Sequence, residues 1–118
     1  MDNREFGKEL ERRTRMFGVR IIQISTRLPK TLEARIIRGQ LTKSGTSIGA
    51  NYREANRARS RADFKSRIKI CESEASETQY WLEVIVELEW LTMKQIDAEY
   101  EECSQLLALF AAISKRCK

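Results

Sequence analysis

A single proline, Pro29, stands in a chain of 118 residues with five glycines. That scarcity of breakers constrains the fold more than any motif does. Tight turns need residues that accept positive φ or that hold φ near −65°. With so few of them the many hairpins of an all-β domain are out of reach, and long helices are predicted. The length suits one domain with one core over residues 1–118, and no tandem repeat or low-complexity tail divides it.

Apolar residues recur at helical spacing in four blocks. The first block predicts a helix from about Arg4 to Arg27, with Phe6, Leu10, Phe17, Ile21, Ile24 and Leu28 inward and a break at Arg13 or Thr14. Leu28-Pro29 ends it, because a residue before proline avoids helical angles. The second runs from about Thr31, a suitable N-cap, to Glu54, burying Leu32, Ile36, Ile37, Leu41, Ile48, Tyr52 and Ala55. After a turn at Asn56–Arg59, Ser60 and Asp63 have the spacing of a capping box. The third helix then runs to about Leu88 on a seam of Phe64, Ile68, Cys71, Ala75, Thr78, Leu82 and Ile85. Thr92 and Gln95 repeat the box. The fourth helix reaches about Arg116 through Ile96, Tyr100, Cys103, Leu107 and Phe110, widened by Leu106, Leu109 and Ile113. The fold class is therefore all-α, a four-helix bundle whose short connections suit antiparallel neighbours.

Two segments depart from this plain pattern. Within the second helix the stripe thins to Ser44, Gly45, Thr46, Ser47, Gly49, Ala50 and Asn51. Each helical glycine costs about 1 kcal/mol relative to alanine, so close backbone approach to a neighbour is expected. A buried Asn51 amide needs partners, and Glu74 or Glu77 of the third helix is expected to meet it. Within the third helix, Tyr80, Trp81, Val84, Val86 and Leu88 spread apolar surface around most of the circumference. A helix apolar nearly all round is buried on more than one side. In a small chain the second side predicts an oligomer interface through Tyr80, Trp81, Val84 and Leu88.

Charge is strongly polarised. Residues 1–70 hold 18 of the 22 Lys and Arg but only 7 of the 17 Asp and Glu. Either the two halves pair internally, or a basic surface faces an anionic partner. Arg57, Arg59 and Arg61 alternate through the turn, Arg53 approaches it, and Arg61, Lys65 and Lys69 share a helix face. These six are the candidate contacts to RNA or DNA phosphates, for which the planar guanidinium is well shaped. The competing reading pairs them with Glu54, Asp63 and Glu72. No recognition motif points to sequence readout, and the aromatics lie mostly on apolar stripes, which argues against a base-stacking platform. Lys115, Arg116 and Lys118 fall at the end of the fourth helix, where cations suit the helix dipole.

Catalytic signals are scarce. The chain has no histidine, which removes the commonest general base and the Ser-His and Cys-His pairs. Ser44 and Ser47 near Lys43 have no accompanying cleft signature. Glu72, Glu74, Glu77, Glu83 and Glu87 could line a metal site, but solvated or inter-helix carboxylates explain them more simply. No phosphate-binding glycine loop occurs. No enzyme activity, catalytic residue, metal or cofactor is expected.

Cys71, Cys103 and Cys117 are odd in number and lack a C-x-x-C, so neither a disulfide framework nor a zinc ribbon is predicted. Cys71 and Cys103 fall on apolar stripes as small hydrophobes, and Cys117 is expected to be exposed. Residues 1–15 are too charged for a secretory leader, and no run approaches ~20 apolar residues. A cytoplasmic protein with no membrane partner is expected.

The run Gln40-Leu41, Ser44, Ser47-Ile48-Gly49-Ala50-Asn51, Glu54, Arg59-Ser60 and Phe64 resembles the bacterial four-helix-bundle proteins, also called 23S rRNA intervening-sequence proteins. Glu77-Thr78-Gln79-Tyr80-Trp81-Leu82 resembles their third helix, and Leu28-Pro29 their first connection. The likeness covers nearly the whole chain. It implies an up-down-up-down bundle, a homopentamer, and an association with inserts in ribosomal RNA genes. A distant relative, the accessory protein of diversity-generating retroelements, binds nucleic acid and assists a reverse transcriptase. The chain departs from the family at Tyr52-Arg53-Glu54-Ala55, where many relatives carry an apolar residue and then Ala-Glu-Gly, so the following turn is expected to differ. Two functions follow as expectations. One is an oligomeric bundle that binds RNA or DNA through backbone electrostatics, with the reverse-transcriptase accessory role as a variant. The other is a protein–protein adaptor.

Overall fold

Each helix begins where the sequence offers an oxygen to the first turn. The computed structural model describes residues 2–117, and its helices are α1 (Asn3–Ser25), α2 (Leu32–Ala55), α3 (Arg61–Glu87) and α4 (Met93–Arg116). The four orphan amides at a helix start need acceptors. Asp2 accepts from the Glu5 amide at 2.8 Å, and Thr31 from the Ala34 amide at 3.1 Å. Thr92 and Gln95 form the full reciprocal box, with the Thr92 amide donating to Gln95 Oε1 at 2.8 Å. Ser60 and Asp63 complete only half of theirs. Ser60 Oγ accepts from the Asp63 amide at 3.0 Å, while the Asp63 carboxylate turns to Arg67 at 3.9 Å. An aspartate is one methylene shorter than the glutamate or glutamine that reaches back in a complete box.

Helix ends follow the same logic. α1 stops at Ser25 rather than Arg27, because the chain tightens into i→i+3 bonds from Arg27 to Ile24 and from Leu28 to Ser25. At the end of α3, the Trp90 amide donates to the Ile85 carbonyl at 3.1 Å and the Glu89 amide to the Val86 carbonyl at 2.9 Å. That pair of bonds is a Schellman cap. It puts Glu89 at φ 60°, the left-handed region usually given to glycine.

The helices pack in chain order, α1 on α2, α2 on α3 and α3 on α4, and α4 returns to α1 along a thinner seam. Phe17, Ile21, Leu41, Ile48, Ile68, Leu82, Ile85, Ile96, Leu106 and Phe110 are fully buried between them. Three predicted core residues are exposed instead. Phe6 is 39% exposed, Leu32 67% and Ile36 59%. Counting back from Leu41 at 3.6 residues per turn brings Ala34 to the core, and Ala34 is fully buried where Leu32 and Ile36 turn outward. In α4 the seam passes through Leu106, with Leu107 only partly buried. Thr14, the apparent gap in the first stripe, is itself buried and donates to the Leu10 carbonyl at 2.8 Å.

The small-residue stretch does bring α1 and α2 together. A Cβ on Gly45 would sit 2.6 Å from Ile21 Cγ2, and one on Gly49 would lie 3.2 Å from the Thr14 backbone. The α1–α4 seam is held differently. Arg13 donates two bonds to Glu102, each at 2.7 Å, and a third to Gln105 at 2.8 Å. Arg20 reaches Glu99 at 2.8 Å. The basic amino-terminal half and the acidic carboxy-terminal half thus meet across one seam.

Candidate nucleic-acid interface

The antiparallel order brings the end of α2, the start of α3 and the end of α4 to one end of the bundle. Arg57 and Arg59 lie in the α2–α3 turn, and Arg61 opens α3. All three are exposed, and none forms an ion pair among the described residues. Lys69 is exposed and Lys65 half-buried on the same face of α3, also without an acidic partner among those residues. The acids that could have absorbed this charge do not: Asp63 pairs with Arg67, and neither Glu54 nor Glu72 makes an ion pair among the described residues. Arg53 behaves differently. It is drawn to Glu11 on α1 at 3.7 Å, and Glu11 also accepts from Asn56 Nδ2 at 2.8 Å. Five of the six predicted contacts therefore face outward unpaired, and Arg53 is tied back to α1.

Two cations on α4 join them. Arg116 lines a recess of about 560 Å³ with Ala58, Arg59, Ser60, Arg61, Phe64 and Cys117. Lys115 lines a second, of about 500 Å³, with Lys65, Lys69, Glu72 and Cys117 among its walls. The dipole reading of Lys115 and Arg116 missed this. The signal was available, because an up-down bundle must set the end of a fourth helix beside the start of the third. Lys118 lies outside the described residues. Cys117, expected to be exposed, is half-buried at the junction of the two recesses.

Of the residues expected to organise the α2–α3 contact, Ser44 and Asn51 bond across it, Asn51 with an unexpected partner, while Ser47 and Glu77 do not. Asn51 Nδ2 donates to the Ser47 carbonyl at 2.9 Å, and Asn51 Oδ1 accepts from Arg67 at 3.4 Å. Glu77 turns away to accept from Trp81 Nε1 at 3.2 Å, and neither it nor Glu74 meets Asn51. Asn51 is only partly buried, so one arginine and its own helix satisfy it. The buried cross-helix bond belongs instead to Thr78, which donates to Ser44 Oγ at 2.9 Å. Ser44 in turn donates to the Leu41 carbonyl at 3.2 Å. Ser47 stays within α2, donating to the Lys43 carbonyl at 2.6 Å.

Apolar side chains remain exposed on two separate faces. On α3, Tyr80 is 56% and Leu88 48% exposed, with Val84 half-buried between them. Tyr80 meets the half-buried Trp81 edge to face at 4.9 Å. On α1 and α2, Met16, Val19, Ile22, Leu32 and Ile36 are exposed. α1 and α3 are not neighbours in the bundle and lie across it from each other.

Burial pushes the Cys71 and Cys103 thiols up to about 12. Each sulfur points at a carbonyl of a neighbouring helix, Ile48 at 3.5 Å and Ala75 at 3.2 Å. Both are core residues, as their stripes require. Among the described residues no three of Cys, Asp and Glu gather as a metal cluster. None of the described helices is long and apolar enough to cross a membrane.

A model of the 23S rRNA-intervening sequence protein family matches residues 9–112, from the first buried turn of α1 to near the end of α4. The chain belongs to that family. A crystal structure from Bacteroides thetaiotaomicron, described as a protein with unknown function from the S23 ribosomal protein family, has the same fold. It is 36% identical, with a TM-score of 0.82 over 89% of this chain and 97% of that one. No curated protein matches the chain. Arg57, Arg59, Arg61, Lys65 and Lys69 fall within the matched span, whereas Lys115 and Arg116 lie beyond it.

Proposed function

We propose that this intervening-sequence family protein is a non-enzymatic homo-oligomer that binds RNA or DNA through the cationic end of its bundle. One observation carries the reading: Arg57, Arg59 and Arg61 face outward with no acidic partner among the described residues, although acids stand nearby in the sequence. Like charges crowded without counterions favour an anion, and a polyanion best. The family's description, which ties it to 23S rRNA intervening sequences, supports RNA as the ligand. Sequence-specific readout is no part of the proposal, because the contacts are to phosphate.

The two exposed apolar faces support assembly. A contact between unlike patches repeats head to tail and closes into a ring when the rotation permits. The family resemblance implies five copies, and a ring of five multiplies the phosphate contacts. Val84→Asp should leave a folded monomer by light scattering; a wild-type protein that scatters as a monomer would refute the ring. Filter binding to a structured RNA tests the ligand. Arg57→Glu with Arg61→Glu should weaken binding at least tenfold while circular dichroism stays unchanged, and unchanged affinity would count against the proposal.

A protein adaptor without a nucleic-acid role is the second reading. It is favoured by the exposure of Leu32 and Ile36, which sit beside Lys30, Arg35 and Arg38. Its partner should survive nuclease treatment of a pull-down, and loss of every partner to nuclease would exclude it.

A further inference from the structure

We infer that the recess between the α2–α3 turn and the end of α4 holds the phosphorylated end of a single nucleic-acid strand, an inference that rests on the nucleic-acid reading above. Three arginines from three different elements line it: Arg59 from the turn, Arg61 from α3 and Arg116 from α4. None has an acidic partner among the described residues. Convergent like charges repel, and an anion seated between them removes the penalty. α3 adds its amino-terminal partial charge, and Ser60 adds a hydroxyl at the recess wall.

The remaining lining is apolar. Ala58 and the half-buried Phe64 give the recess an apolar part against which one base can lie. Stacking on an aromatic ring is tolerant of base identity. A volume of about 560 Å³ is that of a small-ligand site and too small for a duplex. One nucleotide fits, and a strand end can seat its last nucleotide there with only one backbone connection to accommodate. A terminal phosphate carries up to two charges and three free oxygens, against one charge for an internal diester. Three arginine forks match the former. The rest of the strand would leave along Lys65, Lys69 and Lys115, which line the adjoining recess.

Fluorescence anisotropy of the full chain tests this with one labelled twelve-nucleotide RNA sequence in four forms: 5′-phosphate, 3′-phosphate, hydroxyl at both ends, and covalently circular. One phosphorylated form should bind at least tenfold more tightly than the hydroxyl and circular forms. Arg116→Gln, on an exposed side chain, should abolish the preference, so that the phosphorylated form binds no more tightly than the circular one. Phe64→Leu keeps the apolar packing and should weaken only the preferred form. Equal binding of all four forms would overturn end recognition and leave the nucleic-acid reading standing. Binding of none would overturn both. Displacement of the preferred RNA by inorganic phosphate at the same concentration would make the recess a free-anion site and also overturn the inference.

Discussion

At the scale of single residues, Gly45 has the most demanding position. Its missing side chain is what lets Ile21 lie against α2, and a Cβ there would stand 2.6 Å from that fully buried side chain. Gly45→Ala gains helix propensity of about 1 kcal/mol and loses more to overpacking, which typically costs about 1–3 kcal/mol. Chemical denaturation should show a net loss. The same reasoning was open to sequence reading, since two glycines inside a helix require an explanation. The partner of Asn51 was not. Which side chain of a neighbouring helix meets an amide depends on helix rotation of a few tens of degrees, which a stripe does not fix, and Arg67 takes the place expected of Glu74 or Glu77. The buried thiols make a further prediction. Their folded values near 12 stand above the ordinary 9.0. The stability they contribute is complete below about pH 9 and is lost as pH rises towards 12. Unfolding stability should fall with a slope approaching about 1.4 kcal/mol per pH unit for each thiol. Urea titrations of wild type and Cys103→Ala between pH 8 and 11 check this, and the variant should show the shallower decline.

At the scale of elements, caps and stripes made the helices legible to within a few residues. Thr31, Ser60 and Thr92 all cap where they were expected to. The error in α2 has a simple cause. Leu32 and Ile36 look like core because they are large, yet the small Ala34 holds the inward position. Size misled where angular phase decided. The end of α3 was opaque for a different reason: no glycine announces the Schellman cap that Glu89 occupies at φ 60°. A left-handed residue with a Cβ costs about 1–2 kcal/mol, offset in part when glycine loosens the unfolded chain. Glu89→Gly also removes a negative charge from a helix C-terminus. It should raise stability by about 1 kcal/mol, read as a higher urea midpoint with an unchanged slope.

At the scale of the whole molecule, polarised charge is divided between two uses. Arg13 and Arg20 are spent on Glu102 and Glu99 across the α1–α4 seam, while the turn arginines and the end of α4 gather outward at one end of the bundle. Composition alone offered these as alternatives, and only three-dimensional placement separates them. The contribution of α4 to the cationic end was implicit in antiparallel topology, and Phe64 entered the site because a helix terminus exposes one side of a stripe residue. The slope of log Kd against log salt for a structured RNA tests the central claim most directly, because it counts the phosphates neutralised. A steep slope for wild type that shallows by about one to two units in the Arg57→Glu, Arg61→Glu protein is the predicted result. A flat slope, or one that the double substitution leaves untouched, would contradict it.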